Sequence, residues 1–245
     1  TSDGVPIRLD ANLEFPDDLA AARYAGAEGI GLYRSEFLVT GSADDFRDED
    51  RQYRIYRGML EGMTPGIVTV RTFDVDEEQL ASRLAQHPLE PGWEPAGEPR
   101  ASRQGLRGLR LSLTRPDLFR IQLRALLRAA RHGNLRIMFP FVSSVEQLRE
   151  ARRMVVEASA DVTRRGEVVP PVPIGVMIEI PAAAFTADLL AREVDFFTIG
   201  TNDLIQYCLA VDRADERVSR LYEPLHPAIL RMILSNGVAL ALAGV

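Results

Sequence analysis

The sequence contains no lysine: all 29 of its basic side chains are arginine. That excludes imine chemistry on a lysine amine, and with it pyridoxal-phosphate and aldolase-type mechanisms. It also excludes a Walker A loop, whose lysine has no counterpart here. Any anion bound by this chain must be held by arginine forks, backbone N–H groups or a metal. Cysteine is almost as scarce. Cys208 stands alone, so no internal disulfide can form, and a reducing cytoplasm is the expected setting. No apolar run reaches membrane-spanning length, and no stretch reads as a signal peptide. Positive charge is outweighed as well: the net charge is −6 and the pI about 5.2, which argues against nonspecific nucleic-acid binding. What remains is ordinary for a globular domain, with 46% hydrophobic and 26% charged residues. The length of 245 residues suits a single barrel domain.

Short apolar runs alternate with amphipathic stretches along the chain. Strands are expected over residues 5–10, 29–32, 67–70, 106–113, 135–139, 172–178 and 195–199. Between them, Pro16-Asp17-Asp18 opens a helix that ends near Gly26. Phe46, Tyr53, Tyr56 and Leu60 line one helix face, and residues 116–131 form a strong helix closed by Gly133. Ser143 and Glu146 have capping-box spacing ahead of Val145, Leu148, Ala151 and Val155. A short helix covers residues 182–191 and a further one residues 227–243. Residues 87–103 hold four prolines and two glycines and read as a loop excursion. Strands alternating with helices imply parallel pairing and right-handed crossovers, hence an α/β fold. Seven such units favour a (β/α)8 TIM barrel, read as one domain over residues 1–245 and truncated before the eighth strand. An open barrel of that kind has unpaired edges at its first and seventh strands, which favours aggregation.

A barrel of this type builds its active site at the C-terminal ends of its strands. The polar residues that follow each apolar run are therefore the candidates. They are Arg34 and Glu36, Arg71 and Asp74, Glu179, and Asn202 with Asp203. Glu179 and Asp203 are hard oxygen donors suited to Mg²⁺. Arg34 and Arg71 are planar forks suited to phosphate or carboxylate. Such a set fits a small, multiply charged phosphorylated acid and phosphoryl transfer. A purely structural pairing of Arg71 with Glu179 across the mouth is the alternative.

Four motifs carry a family resemblance: Gly26-Ala-Glu-Gly-Ile-Gly-Leu-Tyr-Arg34-Ser-Glu-Phe-Leu38, Val70-Arg71-Thr-Phe-Asp74, Met177-Ile-Glu179-Ile-Pro-Ala-Ala183, and residues 195–207 followed by Ala210-Val-Asp-Arg213. Together they closely resemble the phosphoenolpyruvate (PEP)-binding barrel of Enzyme I, the PEP–protein phosphotransferase family of the bacterial sugar phosphotransferase system. Pyruvate phosphate dikinase and PEP synthase share parts of these motifs. The resemblance implies that Arg34 and Arg71 grip the phosphoryl group of PEP, and that Glu179 and Asp203 ligate Mg²⁺. It also implies that Asn202, Asp203 and Arg213 hold the substrate. Arg107, in Gly105-Leu-Arg-Gly-Leu-Arg110, matches a further basic position. In the family the phosphoryl group passes to a histidine on another domain and then to the carrier HPr, and pyruvate leaves. The barrel also forms a homodimer. The alternatives are a non-catalytic PEP-sensing module and the barrel of a dikinase or PEP synthase.

The chain departs from the family in three places. Where the family continues its second motif with Gly-Gly-Asp-Lys, this chain has Val75-Asp-Glu-Glu78 and then the proline-rich excursion. Arg100, Arg103 or Arg107 is expected to restore the lost charge. The phospho-accepting histidine has no counterpart: His87 and His132 read as solvated or capping, and His226 as structural. The family's acid, a strand cysteine, is not matched by Cys208, which reads as a small buried filler. Asp188, Arg192 and Glu193 read as a solvated helix face.

Overall fold

The structure, a computed structural model, describes residues 4, 6–40, 46–86 and 105–243. The excursion over residues 87–103, with His87, Arg100 and Arg103, lies outside the described residues. Six parallel strands form one sheet in chain order: β1 (Asp10–Leu13), β2 (Gly29–Arg34), β3 (Ile67–Arg71), β4 (Asn134–Phe139), β5 (Ile174–Ile178) and β6 (Phe196–Ile199). Each neighbour in sequence is the neighbour in space, with helices in the crossovers, so the sheet curls as an incomplete (β/α) barrel. β5 is buried along its whole length, as a parallel strand covered on both faces must be.

Two expected strands differ from the structure. Residues 109–114 form a helix (Leu109–Thr114), so the sheet has six described strands, not seven. A short apolar run does not distinguish strand from buried helix. Here Gly108, at φ +56°, turns the chain into a helix that buries Leu109 and Leu111. The first strand is Asp10–Leu13; Ile7 and Leu9 are exposed, so the alternation over residues 5–10 reflects no buried face. The edges are accordingly β1 and β6, and β6 is half-exposed along its length.

The helices follow the expected pattern with small shifts. Glu49–Met63 starts after Phe46, with the Asp48 carboxylate accepting from the Arg51 N–H at 2.9 Å. Val145–Arg164 is capped by Ser144, whose hydroxyl accepts from the Gln147 N–H, one residue later than the expected cap. The stretch over residues 182–191 is two short helices, Pro181–Phe185 and Ala187–Leu190. Arginines on the outer layer act as ties. Arg124, Arg128 and Arg165 converge on Glu49 at 2.6, 2.9 and 2.7 Å. Glu193 likewise pairs with Arg149 and Arg152 and is more than a solvated face. The excess of arginine thus serves the helical shell as well as the strand ends. No helix among the described residues is long and apolar enough to cross a membrane.

Candidate active site at the strand C-termini

Parallel register sets the site. Arg34 and Arg71 are register partners at the ends of β2 and β3, and Ile178 and Ile199 at the ends of β5 and β6. Glu179 and Gly200 follow the second pair directly. A side chain at Gly200 would place its Cβ 2.8 Å from the Cβ of Glu179, so this close approach requires glycine. Beyond Gly200 the helix Thr201–Leu209 presents Asp203 in its first turn.

The carboxylates of Asp74, Glu179 and Asp203 gather with one oxygen of each within 4.8 Å of the others. All three are buried. Around them lie two guanidinium groups. Arg71 donates to Glu36 at 2.6 Å and pairs with Asp74 at 3.0 Å. The structural alternative for Arg71 therefore takes a different form: its partners are Glu36 and Asp74, not Glu179. Glu179 instead accepts the Phe141 N–H at 2.6 Å. Arg107 forms a two-point fork with Asp74, both bonds 2.8 Å, and reaches Asp203 at 2.7 Å. Its guanidinium lies 5.1 Å from the centre of the Phe141 ring, which packs edge-on against Tyr207. Gly108 makes this path open, because a Cβ there would lie 2.7 Å from that of Phe141.

Burial and charge pull the titrating groups apart. Burial, with the nearby charges of Asp74 and Asp203, pushes the Glu179 carboxyl up to about 8 against the pull of Arg71. Burial also raises Glu36 in spite of Arg71. Asp74 goes the other way: burial would raise it, but Arg71, Arg107 and Arg34 hold it below the usual carboxylate range. Burial would lower both Arg71 and Arg107, yet their acidic partners outweigh it and raise both. For Glu179 the folded chain binds more protons than the unfolded chain between pH 4.5 and about 8. Stability without divalent metal should therefore fall as pH rises through that window. Urea unfolding at pH 5.5 and pH 8.5 reads this directly, and the Glu179→Gln variant should show a smaller difference.

Of the sequence-predicted residues, the structure brings Arg71, Glu179 and Asp203 into one cluster. Arg34 is exposed beside it, close enough to act on the charge of Asp74, and makes no ion pair or hydrogen bond among the described residues. Asn202 and Arg213 are exposed and make no bond to the cluster; the Asn202 amide oxygen accepts from Tyr222 at 3.2 Å. His226 caps the helix Pro227–Ala243 by accepting from the Ala228 N–H, a structural role. His132 bonds Tyr53 and Glu61 away from the mouth. Cys208 is half-buried, more open than a filler. Sequence reasoning assigned no role to Glu36 or to Asp74 as third carboxylate, although both stand at strand ends. Phe141, at φ 58°, carried no sequence signal.

Six parallel strands in sequential order with an acidic and arginine-rich mouth define an α/β-barrel class of protein. Solved structures share the fold: a citrate lyase from Burkholderia xenovorans LB400 (TM-score 0.58, 18% identity, covering 98% of this chain and 62% of that one) and a malate synthase from Haloferax volcanii (TM-score 0.53, 14% identity, 97% and 59%). The family model described as "PEP-utilising enzyme, PEP-binding domain" matches residues 1–239, and the chain belongs to that family. Similar relatives are the proteins named phosphoenolpyruvate-protein phosphotransferase of Geobacillus stearothermophilus (46% identity over 234 residues) and Enterococcus faecalis (45% over 237). Each alignment covers 95% of this chain and 39% of the relative, so the chain spans about two-fifths of their length.

Proposed function

We propose that this chain, as a single domain, is the PEP-binding part of a PEP–protein phosphotransferase. The observation that carries the reading is the three-carboxylate cluster flanked by Arg34, Arg71 and Arg107 at one strand-end mouth. An all-oxygen set of three closely spaced carboxylates fits Mg²⁺. Glu179 and Asp203 would hold it, with Asp74 beside them, and the ion would supply charge neutralisation for the phosphate. Arg34 and Arg71 grip the phosphoryl oxygens, and Asn202, Asp203 and Arg213 orient the rest of PEP. Arg107 takes over the charge of the family's missing lysine; its fork on Asp74 places it where that segment departs. Positioning and neutralisation are what phosphoryl transfer mainly needs.

In this reading the phosphoryl group passes to a histidine on another domain, then to an HPr-type carrier, and pyruvate is released. A cytoplasmic homodimer that serves sugar transport belongs to the same reading. The test is exchange of isotope between pyruvate and PEP by the full-length protein that carries this domain. Exchange is expected, and Arg34→Ala should lower it by about a hundredfold or more. Because Arg34 makes no ion pair or hydrogen bond among the described residues, the same variant should unfold within about 0.5 kcal/mol of the parent. PEP binding without exchange would instead support a sensing module, the reading that the altered segment after Asp74 favours.

A further inference from the structure

The helix Pro116–Ala129 buries an apolar stripe of Leu118, Phe119, Leu123 and Leu126 against the sheet. Gln122 lies in that stripe and is fully buried. Every polar group of its amide is engaged. Its Oε1 accepts the Phe73 N–H at 3.1 Å. Its Nε2 donates to the Ser35 hydroxyl at 2.9 Å and to the Tyr56 hydroxyl at 3.1 Å. Ser35 then donates to the Arg71 carbonyl at 2.7 Å, and Tyr56 to Gln52 at 3.3 Å. The two segments gripped in this way are Arg34-Ser35-Glu36 at the end of β2 and Arg71-Thr72-Phe73-Asp74 at the end of β3. They carry both proposed phosphate-gripping arginines, one carboxylate of the cluster and the partner of Arg71. An apolar residue of similar size would fill the same space, since the stripe around it is otherwise leucine and phenylalanine. The amide is therefore there for its bonds, not its volume.

We infer that Gln122 is a positioning residue: it fixes the spacing of Arg34, Arg71 and Asp74 by holding the Phe73 N–H and the Ser35 hydroxyl beside them, without touching a ligand itself. The inference rests on the PEP-binding reading for its effect on affinity, and on the hydrogen bonds alone for its effect on the two segments. Glu179 and Asp203 sit after β5 and after β6, outside the clamp, so a loss of Gln122 should act on one side of the mouth only.

The test uses two variants. Gln122→Met keeps the volume and removes all three bonds; Ser35→Ala removes one hydroxyl. Hydrogen–deuterium exchange is followed at residues 70–75 and 33–37, with residues 174–180 and the helix Val145–Arg164 as internal reference. In Gln122→Met the Phe73 amide should exchange about tenfold faster or more, while the reference segments change less than about twofold. PEP affinity in Mg²⁺ should fall about ten- to a hundredfold. Ser35→Ala should shift affinity in the same direction, and the double variant should bind no worse than Gln122→Met, because both act through one chain of bonds. Equal acceleration in every segment, an unchanged Phe73 amide, or PEP affinity unchanged in the variants overturns the inference. If Gln122→Met does not fold, Ser35→Ala decides by the same affinity measurement. If the parent protein itself does not bind PEP, the functional reading fails, whereas the Phe73 exchange rate still decides whether Gln122 clamps the segment.

Discussion

Replacing Arg71 with methionine should cost the fold about 3–5 kcal/mol and abolish measurable PEP binding. The size follows from what Arg71 leaves behind. Its side chain is only 10% exposed, and its partners Glu36 and Asp74 are 16% and 2% exposed. Both carboxylates would lose a charge-assisted bond in a place that water reaches poorly. Asp74 would keep its fork from Arg107, and Glu36 would keep the Asp74 N–H at 3.2 Å. Burial already raises Glu36 against the pull of Arg71, and without Arg71 that pull is lost and the carboxyl should rise further. Chemical unfolding of the variant across pH separates this cost from lost binding, and adding Glu36→Gln should recover part of the stability. An Arg71→Met protein as stable as its parent would mean that the pairs contribute little.

Arg107→Met should produce the second large effect, with an opposite response to metal. Arg107 bridges Asp74 and Asp203 through bonds of 2.7–2.8 Å. Methionine can keep the apolar contact with Phe141 but supplies no charge. The variant should lose about 3 kcal/mol without added metal, because Asp203 would be left with no ion-pair partner among the described residues. PEP affinity should fall by about two orders of magnitude, the scale for one lost charge-assisted phosphate contact in a partly buried site. Mg²⁺ should then raise the melting temperature of the variant more than that of the parent, since the ion no longer meets a guanidinium already seated on the carboxylates. Thermal melts with and without 10 mM MgCl₂ (about the scale needed for a millimolar site) check this. An equal shift in both proteins would show that Arg107 and the ion do not share ligands.

These two arginines mark the boundary of what the sequence makes legible. Arg71 stands at the end of a β-branched run and inside a five-residue motif, so its place can be read from order alone, whereas its ion-pair partners, Glu36 and Asp74 and not Glu179, cannot. The same holds for Glu179 and Asp203, where an apolar run stops at a carboxylate. Arg107 matches a basic position of the family but lies in a segment that follows no strand, and its chain position gives no distance to Asp74. The helix Leu109–Thr114 was hidden for a related reason: six residues are too few for the 3.6-residue period to show against alternation. Gln122 did leave a trace. It stands four residues after Leu118 and three after Phe119, on the apolar stripe, where a polar side chain must find internal partners. Which partners these are depends on two loops more than 45 residues away in sequence, and no local pattern encodes that.

The central claim is that this strand-end mouth binds PEP together with a divalent cation. Isothermal titration of PEP into the protein tests it most directly, once in Mg²⁺ and once in excess EDTA. The account predicts saturable one-to-one binding in Mg²⁺ that weakens at least about tenfold in EDTA and is lost in Arg34→Ala. Absence of binding in Mg²⁺, or binding that neither EDTA nor Arg34→Ala alters, would contradict it.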